Sequence, residues 1–260
     1  MTEPLKIAVF GDSYADEFKH IKDTEYGTLS LPWVRELKKI SNHSITNFAI
    51  SGSSFYYSAK LFFENYKKFD KIVFVVTYPG RMHINNPDVD ENLSHIAGLD
   101  HLFWKVEQYE MMLKNESLSL TKEKLDKAMP YLNALRGYYL YLYDYEQIEM
   151  FHFALYEKIN NMLPHDKLLL MPVITLAAPN FQDTTLGDIS QIDNRPKNYR
   201  TEDYRPNHIN SNNRRMLAEK INEWINNGVF NLTPDDIRIN SEPFDEMFPR
   251  MANPVDFGRN

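Results

Sequence analysis

Serine, histidine and aspartate are the usual parts of a metal-free acyl-transfer machine, and this 260-residue chain offers them in a workable order. Gly11-Asp12-Ser13-Tyr14 directly follows the apolar run Leu5 to Phe10. A serine just past the carboxyl end of a strand lies where α/β folds place their sites. Gly11 permits a tight exit from the strand, and the N–H groups that follow can face a developing negative charge. The bland alternative is a strand-to-helix turn with Asp12 or Ser13 as its N-cap. A second stretch, Asn47 to Ser53 (NFAISGS), closes another apolar run. There Gly52 can bring its N–H close to a substrate oxygen with no side chain in the way, or it simply makes a turn. A third stretch, Asp203-Tyr204-Arg205-Pro206-Asn207-His208, precedes an amphipathic segment. Neutral imidazole, with a pKa of about 6.5, suits His208 to take a proton from a serine hydroxyl.

The segments around these residues predict the frame that positions them. Leu5 to Phe10, Ser44 to Ile50, Lys71 to Val76 and Lys167 to Ile174 read as strands. Leu31 to Ile40, with Pro32 near its start, and Phe55 to Phe69 read as helices between them. Asn210 to Asn227 is a further helix, with Met216, Leu217, Ile221, Trp224 and Ile225 on one face. Strands separated by helices imply parallel pairing and right-handed crossovers, hence an α/β three-layer sandwich with a mostly parallel central sheet. The alternation stops near Asn85, and a helical insertion is expected over about 85–160. Within it, Leu99 to Leu113 and Thr121 to Met129 read as short helices, and Pro130 to Leu163 as one long pattern dense in Tyr, Phe and Leu. Its aromatic residues, Tyr138 to Tyr156, fall on several faces, which predicts packing on more than one side; an oligomer contact or a lid is the alternative. Thr175 to Asn207 is irregular. One domain is expected over 1–227, with a 228–260 tail that packs on it or on a partner.

Taken together, the three stretches resemble the SGNH, or GDSL-type, hydrolase family. Its members carry a nucleophilic serine in a GDS motif after the first strand and an oxyanion glycine after the second. An oxyanion asparagine follows the third strand, and an Asp-x-x-His motif precedes the last helix. Ser13 matches the nucleophile, Gly52 the glycine and His208 the base. The match spans about residues 5–80 and 165–226. It implies a flavodoxin-like sheet and ester hydrolysis without metal or organic cofactor. The Ser13 and Gly52 N–H groups would be the oxyanion donors.

The chain departs from the family pattern twice. After Val76 it reads Thr77-Tyr78-Pro79-Gly80-Arg81-Met82, with no asparagine; Arg81, Asn85 and Asn86 are the alternative donors. Losing one such donor costs about 10²–10³ in rate. Arg205 stands where the family places its carboxylate. Asp203 is the nearest replacement, with Glu202 behind it; a Ser–His dyad is the alternative. Asp12, Tyr78, Arg81 and Arg205 are the candidate substrate contacts, and the last three favour a polar or anionic ester such as a decorated glycan.

Composition removes several other classes. A net charge of -7, without a long basic run, argues against nucleic acid as a partner. Zero cysteines exclude a thiol nucleophile and thiolate zinc sites. Neither G-x-x-x-x-G-K-[ST] nor G-x-G-x-x-G occurs, nor does H-E-x-x-H. No apolar stretch has the length of a membrane span, and the first residues lack a secretory signal, so a cytoplasmic protein is expected. Abundant Asn, Lys and Ile also suit a phage-encoded, virion-associated component. The expected partner is thus a small-molecule or glycan ester, with a homo-oligomer as a further expectation. The rival reading is a catalytically impaired SGNH-fold module that binds or builds.

Overall fold

Continuous apolar runs too short for a helix belong at the centre of a parallel sheet, covered on both faces. The computed structural model describes residues 3–17, 32–50, 52–77, 79, 82–83, 95–96, 130, 133–134, 136–138, 140–173 and 211–232. Within them Lys6–Phe10 (β1), Ser44–Asn47 (β2) and Lys71–Val76 (β3) join Leu168–Pro172 in one sheet. Between β3 and that last strand, Met82–His83 (β4) and Ile96 with His95 (β5, His95–Ile96) make a separate antiparallel pair, so Leu168–Pro172 is β6. The order is β2-β1-β3-β6 and every pairing in the main sheet is parallel. Register places Ile7 beside Ile45, Val9 beside Val73 and Phe74 beside Leu170.

Among the described residues four helices cover the sheet: Trp33–Ile40 (α1), Phe55–Asn65 (α2), Tyr145–Asn160 (α3) and Ser211–Asn227 (α4). On one face α1 and α4 bury Trp33, Leu37, Leu217, Ile221 and Trp224 against Ile7, Val9, Val73 and Val75. On the other, Phe55, Ala59 and Phe62 of α2 and Tyr156 and Ile159 of α3 meet Ala8, Phe10, Ile72 and Phe74. The expected three-layer α/β arrangement is therefore present. Phe62 and Phe74 lie 5.7 Å apart edge-on, and Phe10 stacks on Phe74 at 5.8 Å. Each buried Phe contributes about 1.5–3 kcal/mol, and such ring pairs add about 0.5–1.5 kcal/mol. The chain moves from β1 to β2 through α1, then returns past β1 to β3 through α2 on the opposite face. Right-handed crossovers require that change of face when direction reverses.

Several boundaries differ from expectation for local reasons. Pro32 is the N-cap of α1, its carbonyl accepting the Arg35 and Glu36 N–H groups, so the helix starts at Trp33. β2 stops at Asn47 because that side chain folds back onto the Ala49 N–H. The helix expected over 55–69 ends at Asn65 and continues only as a 3₁₀ turn, Tyr66–Lys68.

The single long helix expected over 130–163 does not form. The chain turns at 142–144, where the Leu142 and Tyr143 N–H groups both reach the Tyr138 carbonyl. Asp144 then caps α3 through the Gln147 N–H at 3.2 Å, as a short carboxylate at an N-cap should. Packing on several sides is corrected accordingly. Tyr156 and Ile159 are core, whereas Tyr141 is 82% and Met150 73% exposed. α3 forms part of a layer that covers the sheet. The segments 99–113, 121–129, 175–207 and 233–260 lie outside the described residues.

Candidate active site

β1 delivers Ser13 to the carboxyl end of the sheet. The exit from the strand is made by Gly11, at φ 147°, pressed against β3 so closely that a Cβ there would stand 2.7 Å from the Val75 Cβ. Only glycine fits that combination of backbone and neighbour. A helical turn follows, with the Asp12 carbonyl accepting the Ala15 N–H at 3.0 Å and the Asp16 N–H at 2.9 Å. The Asp12 carboxylate accepts the Tyr14 N–H at 3.0 Å through Oδ1. Through Oδ2 it accepts the Thr77 hydroxyl at 2.8 Å, across the gap between β1 and β3. Asp12 is fully buried. Both of its oxygens are thus bonded within the protein, to the turn and to the end of β3.

Two further carbonyls of the turn are held from other elements. Trp33 Nε1 of α1 donates to the Tyr14 carbonyl at 2.6 Å, and Asn47 Nδ2 donates to that of Ala15 at 2.8 Å. The Gly11 carbonyl accepts from Ile50, Ser53 and Ser58. Gly52, at φ 81°, lies in the turn that the Ser53 N–H closes onto the Ile50 carbonyl. Ser54 then caps α2 through the Tyr57 N–H.

Against this dense bonding, three groups that acyl transfer needs stand unspent among the described residues. No described residue gives an acceptor to the Ser13 N–H or the Gly52 N–H, or a partner to the Ser13 hydroxyl. Ser13 itself is 9% exposed. Its position is the topological switch point: connections from β1 run to one side, to β2, and those from β3 to the other, to β6. Crevices at such points are where open parallel sheets bind ligands.

His208, Asp203, Tyr78, Arg81 and Arg205 lie outside the described residues, as do Asn85 and Asn86. Of the expected site, the structure thus describes Asp12, Ser13 and Gly52. No group of three His, Asp or Glu able to hold a metal occurs among the described residues.

Comparison with known proteins adds little. No family model matches the chain, and no curated protein matches it. A lipase, Lip_vut3, from a goat rumen metagenome is similar at a TM-score of 0.34 and 13% identity, over 85% of this chain and 97% of the lipase. An acetyl xylan esterase, AlAXEase, is similar at a TM-score of 0.28 and 17% identity, over 84% of this chain and 98% of the esterase. Likenesses this weak carry no argument. The fold rests on its own sheet, and the site on its own geometry.

Thr77, Ser53 and Ser58 were not singled out from sequence, yet Ser53 and Ser58 bind the Gly11 carbonyl and Thr77 the Asp12 carboxylate beside Ser13. Two signals existed. Thr77 immediately follows five buried apolar residues of β3, and Ser58 interrupts the aromatic run FYYSAKLFF on the helix face turned inward.

Proposed function

We propose that this protein is a serine ester hydrolase of SGNH type. Ser13 is the nucleophile and His208 its base, with Asp203 orienting the imidazole. The Ser13 and Gly52 N–H groups receive the oxyanion. The observation that carries this reading is the switch-point turn, where surrounding elements hold the carbonyls while the Ser13 hydroxyl and both N–H donors have no described partner. In the reaction, His208 accepts the hydroxyl proton as Ser13 Oγ attacks the ester carbonyl. The backbone donors stabilise the tetrahedral oxyanion, the leaving alcohol takes the proton from His208, and water releases the acyl group. A polar ester, such as an acylated glycan, is the substrate class, with Tyr78, Arg81 and Arg205 as its contacts.

One observation favours the rival reading of a non-catalytic module. Thr77, at the strand end where the family keeps its oxyanion block, donates its hydroxyl to Asp12 rather than toward a substrate. Reaction with a fluorophosphonate, read by intact mass, separates the two. A single adduct on wild type, absent from Ser13→Ala and His208→Ala, supports the hydrolase. No adduct on the folded wild type replaces it with the binding module.

A further inference from the structure

Among the described residues of the site, the Gly11 carbonyl oxygen carries three bonds. It accepts the Ile50 N–H at 3.2 Å, the Ser53 hydroxyl at 3.0 Å and the Ser58 hydroxyl at 3.2 Å. The two hydroxyls also stand 3.4 Å from one another. A carbonyl oxygen has two lone pairs, so one or two donors would satisfy it. A third, supplied by serines that are both buried, exceeds what satisfaction requires. The bonds also have a direction in the chain. Ile50 and Ser53 bracket Gly52, Gly11 stands just before the Ser13 turn, and Ser58 anchors the arrangement to α2.

We infer that Ser53 and Ser58 are positioning residues for the oxyanion hole, joining the Gly52 turn to the Ser13 turn through the Gly11 carbonyl. This inference rests on the hydrolase reading above. Neither hydroxyl touches the reacting atoms; both act through the backbone that carries the two N–H donors. The spacing between those donors is set where the two turns are tied. Ile50 with either serine still satisfies the oxygen, so one hydroxyl is dispensable. Without both, a single 3.2 Å bond from Ile50 remains, and the turns are free to separate. Displacements of about 1 Å in such a site cost on the order of 10² in rate.

The test follows phosphonylation of Ser13 by a fluorophosphonate, with p-nitrophenyl acetate hydrolysis resolved into kcat and KM. The proteins are wild type, Ser13→Ala, Ser53→Ala, Ser58→Ala, the Ser53→Ala/Ser58→Ala double variant, and Ile221→Val as a core control. Each single variant should react within about threefold of wild type, and the double variant roughly tenfold or more slowly, with the loss in kcat rather than KM. Ile221→Val, destabilised in the core on the face of the sheet opposite α2, should react at the wild-type rate. A double variant that reacts like wild type, or a control slowed as much as the double variant, overturns the positioning role and leaves Ser13 as nucleophile. No adduct on wild type removes the hydrolase reading and the positioning role with it. Should the double variant not fold, the Ser53→Cys/Ser58→Cys double variant, whose thiols fill the same space but donate only weakly, decides by the same rates. A loss of roughly tenfold in kcat supports the tie, and wild-type rates overturn it.

Discussion

The two ends of the sheet use polar groups in opposite ways. At the carboxyl end, Asp12, Asn47, Ser53, Ser58 and Thr77 are buried and bonded to the chain around Ser13. At the amino end, Asp70 and His43 bond the edges of strands at or near the surface, and Lys71 reaches the Trp224 carbonyl while lying over its ring at 4.8 Å. The amino end also holds a cavity of about 500 Å³, lined among others by Tyr156, Glu157, His165, Leu168, Trp224 and Phe230. Taken by itself, that cavity would point to the amino end. Strand order and the unspent donors choose the other. What marks the candidate site is how its backbone is held.

That contrast can be broken by substitution, and the carboxyl end should respond most. Ser13→Ala should remove the phosphonate adduct and lower ester hydrolysis by at least about 10³, with the melting temperature nearly unchanged. His208→Ala should follow closely, and Asp203→Ala should lose less than either. Unchanged hydrolysis in Ser13→Ala would end the nucleophile assignment. Gly11→Ala comes next, through the fold. Its Cβ would stand 2.7 Å from that of Val75 on a backbone few L-residues adopt. A loss of about 3 kcal/mol is expected in urea unfolding, from strain and overpacking together. Thr77→Val keeps the shape but withdraws one donor from the buried Asp12 carboxylate, and should cost about 1–2 kcal/mol by the same assay. Equal stability of Thr77→Val and wild type would show the Asp12 network to be dispensable.

The amino end should answer weakly and only in alkali. Burial holds the Lys71 ammonium below its ordinary pKa of 10.5, and Asp166 opposes that shift. The unfolded chain therefore binds the extra proton between the lowered value and 10.5, and stability contributed by this group rises with pH across that window. Burial, then Glu157, raises Tyr156 above its ordinary 10.0. There the folded state keeps the proton longer, so stability from this group falls as pH climbs past 10.0. Chemical denaturation between pH 8 and 11 should show Lys71→Met losing the rise and Tyr156→Phe losing the fall. Opposite slopes would reverse both assignments.

How much of this was legible beforehand follows the range of the interactions. β1, β3 and β6 announced themselves because a strand buried on both faces is a continuous apolar run. α4 did so through its 3.6-residue apolar period, and Leu217, Ile221, Trp224 and Ile225 are indeed its core face. Ser13 and Gly52 were readable as residues beside strand ends. The break at Asp144 was not, because a capping carboxylate inside an otherwise helical pattern looks like one more polar position until the turn before it is known. The roles of Ser53, Ser58 and Thr77 were hidden for a different reason. Each bonds a group more than forty positions away in the chain, and spacing along a sequence holds no record of that.

The pairing of β3 with β6 sets a hazard during synthesis. Ile72 finds its neighbour at Leu168, roughly a hundred residues later, a separation that slows closure of such a sheet. At ribosomal rates of about 5–20 residues per second, β3 emerges some 5–20 s before its partner. β1 and β2 are already available to pair with its other side. For that interval one edge of Lys-Ile-Val-Phe-Val-Val lies open, and the strand most deeply buried in the finished protein is the one most able to join a neighbouring nascent chain.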